Sequence, residues 1–525
     1  MGSTRARMAV TGFVRGLTTL SSRVKRTVIQ HPNLLWAAGS VVTLLVVGAM
    51  LRFHFSSFLD PFEDGYQNWW ISANLLSTGT YWDRHSMMTQ GNWLPLYHLW
   101  GAMVLAASGP HGIEGLKIAN IGLSAATAVA VFFAGRKEHI LVGFAAMAFY
   151  QFNFIDVIVS GWATAEALVT FLVFLAYLAL FSSGTPKRRN LSIASIALTL
   201  AVLTRYEAWL LAALLVLFGV VRSSGEPSKS RILWAVAPAL VAMLLYFLYA
   251  TQWGFLPQII VTQTSTDLRY QVTVGTQPNP LTILTAWWQG YLSYFPLVVL
   301  PGAALAFLHL RKDIVPWLLA GLWGFIVAYT ILQFGNPSYR YVVLTIPFLS
   351  VYAARAIRKG IGRIPARGTS VENTRPRVLA IAFASATVLI AATMLPPALT
   401  FWQTGFASSQ YMEPLRNAGQ FVATLPLPPG MLLISESSIA AYYSGYPPDR
   451  ILGARWLPDN VGEALSFLKQ NAAYVVYMGV PYYSLRTLFP YLQNGTDTPD
   501  FQLLFDAGGQ SFGTHAIYVY RVVPS

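Results

Sequence analysis

Residues 34–66 read LLWAAGSVVTLLVVGAMLRFHFSSFLDPFEDGY. From Leu34 to Leu51 no side chain is charged, and about 20 such residues are what an α-helix needs to cross a hydrocarbon core. The run then meets Arg52 and, soon after, three carboxylates within five positions: Asp60, Glu63 and Asp64. A basic arm precedes it, with Arg5, Arg7, Arg15, Arg23, Lys25 and Arg26 and no acid. A secretory signal would be shorter and would end in a small-residue cleavage site, so 34–53 reads as an uncleaved first span.

The remainder of the chain repeats this texture. With 55% hydrophobic and 11% charged residues over 525 positions, the chain is too apolar for a soluble protein of its length. Continuous apolar runs, rather than alternating ones, favour helices over an outer-membrane barrel. The net charge of +14 is concentrated in the N-terminal arm and in loops at Arg136-Lys137, Lys187 to Arg189, Arg222 to Arg231, Arg311-Lys312 and Arg355 to Arg377. Those segments hold about two thirds of the 35 Lys and Arg but only two of the 21 Asp and Glu, Glu226 and Glu372, the bias expected of cytoplasmic loops. Membrane orientation, not nucleic-acid binding, accounts for the charge.

With these loops as inside markers, the pattern predicts about 11 transmembrane helices. They fall at 34–53, 116–135, 140–155, 164–182, 191–203, 207–221, 232–250, 285–308, 314–332, 341–357 and 378–398. Residues 54–115 form a long outer loop, in which Pro95 to Ser108 is an apolar helix lying on or dipping into the outer leaflet. The loop 251–281 is also outside. Beyond residue 400, short strand-like runs (Met431 to Ser435, Tyr474 to Met478, Ala516 to Arg521) alternate with turn-rich pieces and a helix over Val461 to Asn471. The expected organisation is a cytoplasmic arm at 1–33, an all-α polytopic membrane domain at 34–399, and a small extracytoplasmic α/β domain at 400–525. The protein is expected in the plasma membrane. No internal repeat is evident, and the absence of cysteine removes disulfide and thiol chemistry.

Crowded carboxylates repel one another unless a cation, a proton or a hydroxyl substrate is present, so the cluster at 60–64 is either a solvated acidic loop or a site. The aromatic residues around it, Tyr66, Trp69, Trp70, Tyr81, Trp82, Trp93 and Tyr97, suit an interfacial belt or stacking on sugar faces. Arg84, Lys117, Arg205, Arg269 and Arg340, with Asp156, Glu166 and Glu207, complete the charge predicted on the outer half. Ionisable groups at membrane depth face a cavity or each other, and Arg205 with Glu207 could be a structural ion pair. His85, His98 and His111 lack tight metal-ligand spacing. No cofactor is predicted, and a divalent cation at the acids stays open. Asn494-Gly-Thr496 fits a glycosylation acceptor, a pattern common by chance. There is no Walker loop, dinucleotide fingerprint or nucleophile elbow, which disfavours nucleotide-driven chemistry.

Glu63-Asp64-Gly65-Tyr66, followed by Ala73-Asn74-Leu75 and Gly79, resembles the first outer loop of the GT-C superfamily of membrane glycosyltransferases. The likeness is to the protein mannosyltransferase, aminoarabinose transferase and arabinofuranosyltransferase type. Trp93-Leu94-Pro95-Leu96-Tyr97-His98, Ser160-Gly161 with Glu166, Thr204-Arg205-Tyr206-Glu207, and Arg340-Tyr341 followed by Pro347 are similar to later pieces of these enzymes, in the same order. Glu63 stands where many relatives have a first aspartate.

The resemblance implies an inverting transfer of sugar from a polyprenyl-phosphate-linked donor to a hydroxyl acceptor on a glycan, lipid or protein. In that reading Asp64 is the base, Glu63 its rival, and Asp60 an orienting or metal-binding group. Arg269, Arg340, Arg205 and Lys117 are candidate phosphate contacts, in that order; Tyr66, Trp93, Tyr97, His98 and Glu207 line the substrate. A flippase or transporter of lipid-linked saccharide would instead use the acids for substrate or proton coupling. A non-catalytic assembly subunit would not need them.

Overall fold

The structure is a computed structural model and describes residues 32–60, 63–79, 94–109, 112–181, 188–221, 229–252, 279–294, 296–310, 312–331, 339–362, 375–393, 412–479, 484–508 and 516–524. Of the predicted site residues, Trp93 and Arg269 lie outside these, as do Arg84, His85, His111 and nearly all of the N-terminal arm.

The described elements of the first part of the chain are all helices: α1 (Pro32–Ser56), α2 (Asp64–Thr78), α3 (Pro95–Ser108), α4 (Ile113–Arg136), α5 (Ile140–Gln151), α6 (Phe154–Val159), α7 (Glu166–Phe181) and α8 (Arg188–Val202). It continues with α9 (Glu207–Val221), α10 (Lys229–Gln252), α11 (Pro280–Tyr294), α12 (Pro296–Phe307), α13 (Val315–Ile331), a 3-10 turn at Tyr339–Thr345, α14 (Ile346–Gly362) and α15 (Arg375–Ala392). A helix occupies each stretch predicted to span. Among the described residues, four segments, Trp36–Ser56, Ile113–Arg136, Ser230–Leu248 and Arg340–Ile361, are long and apolar enough to cross a membrane, or five if α11 and α12 together make one bent span. Trp36, Met50, Trp234, Leu245 and Leu389 are exposed, as side chains facing lipid would be. This is a membrane protein with several spans.

Three predicted spans are interrupted for local reasons. The run 140–155 breaks because the Asn153 side chain accepts the Asp156 N–H at 3.2 Å and starts α6. The run 285–308 divides at Pro296, which has no N–H with which to continue a helix. The run 341–357 begins as a 3-10 turn before Pro347, whose fixed φ suits the first turn of α14.

The membrane-domain core is built from small, branched and aromatic side chains, including Val131, Ala146, Val169, Phe174, Leu319 and Leu349. Helices α4 and α5 approach closely because glycines face each other's backbone. A Cβ on Gly135 would lie 2.8 Å from the Val142 carbonyl oxygen, and one on Gly143 would lie 2.8 Å from that of Phe132.

After residue 412 comes α16 (412–423), then β1 (Leu432–Ser435), α17 (Ser438–Tyr443), β2 (Ile451–Gly453), α18 (Val461–Asn471), β3 (Ala472–Met478), α19 (Ser484–Leu488), β4 (Phe501–Asp506) and β5 (Ile517–Val522). The sheet order is β2-β1-β3-β5-β4. The first three strands are parallel, linked by helical crossovers, and the last two pair antiparallel. The predicted strands are β1, β3 and β5; β2 and β4 are too short or too mixed in polarity to stand out.

This domain does not hang free. Tyr66, Trp69, Trp70 and Ala73 of α2 share one apolar core with Met412, Leu415, Leu433, Ile439 and Ala440. Helix α2 is therefore enclosed between the membrane domain and the C-terminal domain. Gly143→Ala should lower stability by about 1–3 kcal/mol, seen as an earlier thermal unfolding transition in detergent. Gly122→Ala, whose Cβ would have nothing within 4 Å, should unfold with the wild type.

Candidate active site

Asp64, Glu166, Arg205, Glu207 and Arg340 meet although they come from four separate parts of the chain, because each sits where a helix begins or a turn precedes one. Asp64 opens α2, Glu166 opens α7, Glu207 opens α9 and Arg340 lies in the 3-10 turn before α14. Arg205 lies in the short link between α8 and α9. A carboxylate in the first turn also lies at the positive end of the helix dipole.

They form one alternating chain of charge. Arg340 Nη1 lies 2.5 Å from Asp64 Oδ2, and its Nε lies 2.6 Å from Glu166 Oε1. The same Glu166 oxygen accepts from Arg205 Nη1. Arg205 then grips Glu207 with both faces of its fork, Nη2 to Oε1 at 2.6 Å and Nε to Oε2 at 3.0 Å. Within this chain Glu166 is completely buried, whereas the Asp64 side chain is 29% exposed and is the most accessible member. Arg205 and Glu207 are thus the ion pair that their spacing suggested, but tied into a larger network.

Asp60 faces elsewhere. Its Oδ1 is 3.4 Å from Lys117 Nζ, which also donates to the Ser56 carbonyl at 3.0 Å. Burial raises the Asp60 carboxyl above its ordinary value despite the lysine, which pulls the other way. Gly65 is needed beside it, since a Cβ there would lie 2.2 Å from Asp60 Oδ2. Lys117 and Asp60 accordingly brace the turn under α2.

Glu63, the neighbour of Asp64, turns to the C-terminal domain. Ser437 Oγ donates to Glu63 Oε1 at 2.6 Å, and the Ser438 N–H and hydroxyl reach Oε2 at 3.3 and 3.2 Å. Burial pushes its carboxyl up to about 7, outweighing these hydrogen bonds. Nearby Glu436, held by the Met478 and Leu485 N–H groups at 2.7 and 2.8 Å, is raised by burial to about 8, with Glu63 adding to the shift.

The aromatic and histidine candidates are enclosed. Tyr66 packs edge-on against Tyr442 with ring centroids 5.4 Å apart, and Trp69 meets the same ring at 4.9 Å. The Tyr97 hydroxyl accepts from Asn120 Nδ2 at 3.0 Å, and His98 Nε2 pairs with Asn68 Oδ1 at 2.9 Å. Among the described residues, no group of three or more His, Cys, Asp or Glu is placed to hold a metal ion.

A further buried pair joins Asp156, one of the acids singled out in the sequence, to Arg52, which was not a candidate. Arg52 Nη2 lies 2.6 Å from Asp156 Oδ2, while its other nitrogens reach Ser160 Oγ and Gln151 Oε1 at 2.9 and 2.6 Å. Tyr150 and Ser124 hydroxyls complete the Asp156 shell at 3.0 and 2.9 Å. The available signal was Arg52 itself, a charge near the end of an otherwise uncharged span. At the opposite ends of the helices, Arg355 pairs with Glu138 at 3.0 Å and Asp313 accepts from Tyr177 and Tyr352.

The Glu63 shift has a sign that can be tested. A carboxyl whose folded value exceeds its unfolded one favours the folded state most below the unfolded value of 4.5, and that contribution is lost as pH rises through about 7. Raising pH from about 5 to about 8 should lower the unfolding temperature, and Glu63→Gln should flatten that dependence relative to wild type.

No protein-family model matches the chain, and no curated protein matches it. Solved structures do. ArnT from Cupriavidus metallidurans in the apo state is 14% identical, with a TM-score of 0.55 over 92% of this chain and 98% of that one. The same protein bound to undecaprenyl phosphate gives a TM-score of 0.54 at 14% identity over the same shares. Archaeal oligosaccharyltransferase AglB from Archaeoglobus fulgidus, in complex with an inhibitory peptide and a dolichol-phosphate, is 12% identical, with a TM-score of 0.46 over 92% of this chain and 74% of that one. The near end-to-end superposition on ArnT shows that this chain shares its fold.

Proposed function

We propose that the protein is an inverting glycosyltransferase that moves a sugar from a polyprenyl-phosphate donor to a hydroxyl acceptor on the outer face of the plasma membrane. The observation that carries this is the partly exposed Asp64 carboxylate paired with Arg340, which Glu166 in turn links to Arg205, at one end of the helices. A GT-C fold shared with a protein that binds undecaprenyl phosphate supports the donor class. The sidedness rests on the basic loops.

In the reaction, the acceptor hydroxyl gives its proton to Asp64 as its oxygen attacks the anomeric carbon. The bond from that carbon to the phosphate oxygen breaks, its electron pair leaves with the phosphate, and the configuration inverts. Arg340 and Arg205 stabilise the departing charge, with Arg269 as a further contact. A guanidinium is planar with five N–H donors, so it can hold a carboxylate on one edge and meet a phosphate oxygen on another. Asp64 is preferred over Glu63 as base because Glu63 is buried and already accepts from Ser437 and Ser438.

Purified protein in proteoliposomes, supplied with a panel of radiolabelled polyprenyl-phosphate sugars, should transfer sugar to an acceptor. Asp64→Asn should reduce the rate by about 10²–10⁴-fold. Arg340→Ala should reduce it by about 10²–10³-fold, and Arg340→Lys should not restore it because a point charge lacks the planar fork. Undiminished transfer by Asp64→Asn would remove Asp64 from the chemistry. Movement of intact lipid-linked saccharide between leaflets with no transfer would favour a flippase.

A further inference from the structure

The C-terminal domain touches the acidic motif at one residue with unusual completeness. Glu63 receives Ser437 Oγ on one carboxylate oxygen and the Ser438 N–H and hydroxyl on the other, and its backbone carbonyl lies 3.2 Å from Ser438 Oγ. The two serines are themselves fixed. Ser437 Oγ caps α17 by accepting the Ala440 N–H at 3.2 Å. The Ser437 backbone is tied to Ser435 Oγ through both its N–H (3.1 Å) and its carbonyl (2.7 Å). The preceding Glu436 is held by two backbone N–H groups from β3 and α19. This hydrogen-bonded turn, at the end of the interior strand β1, is set down on the residue next to Asp64.

At the start of a helix, successive side chains point about 100° apart. Holding Glu63 against the C-terminal domain therefore directs Asp64 to another side, where Arg340 meets it. Gly65 seals the arrangement, because its bare Cα lets Asp60 pack beneath the turn.

From this geometry we infer that Ser437 and Ser438 are positioning residues of the active site, which act through Glu63 to hold Asp64 toward Arg340. The C-terminal domain is then a working part of the site and not an appended module. The inference rests on the transferase reading for its catalytic consequence, but the placement of Asp64 can be measured without any substrate.

The test uses the full-length protein in nanodiscs, comparing wild type with Ser437→Ala/Ser438→Ala, Glu63→Ala and the triple variant. Hydrogen exchange of the first turn of α2 should speed up about 10-fold in the double variant, as expected for loss of several hydrogen bonds to one buried carboxyl. The triple variant should exchange no faster than Glu63→Ala, since all three groups act as one unit. With a transferring donor, the double variant should lose kcat about 10-fold while KM for the donor stays within about twofold, because orientation and not binding is disturbed. Ser437→Thr, which keeps the hydroxyl, should retain wild-type exchange and kcat. Unchanged exchange in the double variant, or strictly additive effects in the triple, would overturn the inference. If the wild type transfers no sugar from any donor, the transferase reading falls, while the exchange data still decide whether the serines hold this turn.

Discussion

Glu166 lies fully buried between the guanidinium groups of Arg205 and Arg340, and that arrangement dictates much of what surrounds it. Removing one partner from a buried pair costs about 3–5 kcal/mol, because the remaining charge stays out of water uncompensated. The starts of α7 and α9 and the turn before α14 must therefore stay together for the domain to fold. Asp64 joins this group from its exposed side, bonded to a guanidinium already anchored from behind. Asp64 thus sits at the accessible end of a network braced from within by the buried Glu166.

The two ends of the helical domain are built differently. One gathers acids and arginines at helix starts, with a second buried pair, Arg52 and Asp156, beneath. At the other end, Glu138 pairs with Arg355 and Asp313 is satisfied by two tyrosine hydroxyls. Over the first end lies the C-terminal domain, whose apolar core continues into α2. That continuity explains why aromatic residues suited to an interfacial belt or a sugar platform, Tyr66 and Trp69 among them, are packed against Tyr442 instead.

Much of the helical layout was legible in the chain because apolar runs, proline and helix-start signals are local. The helix at Pro95–Ser108 and the one at Val461–Asn471 have the bounds their patterns suggested. Breaks at Asn153 and Pro296 were harder to see within runs that remain apolar across them. Ser437 and Ser438 gave no signal beyond a helix cap, since their contact with Glu63 lies 374 and 375 positions away.

By itself, the amino-acid sequence determined that this is a membrane protein of several helices, with an acidic motif after the first span and arginines at later helix ends. Hydropathy and charge are properties of single residues and short windows, so they survive without coordinates. Only the tertiary structure decided which acid meets which cation. It set Asp64 on Arg340, 276 positions distant, Asp60 on Lys117, and Glu63 on the C-terminal domain. Three carboxylates within five positions look alike in sequence; they part company because Asp60 precedes α2, Glu63 caps it and Asp64 opens it, so each side chain leaves the backbone toward different packed neighbours.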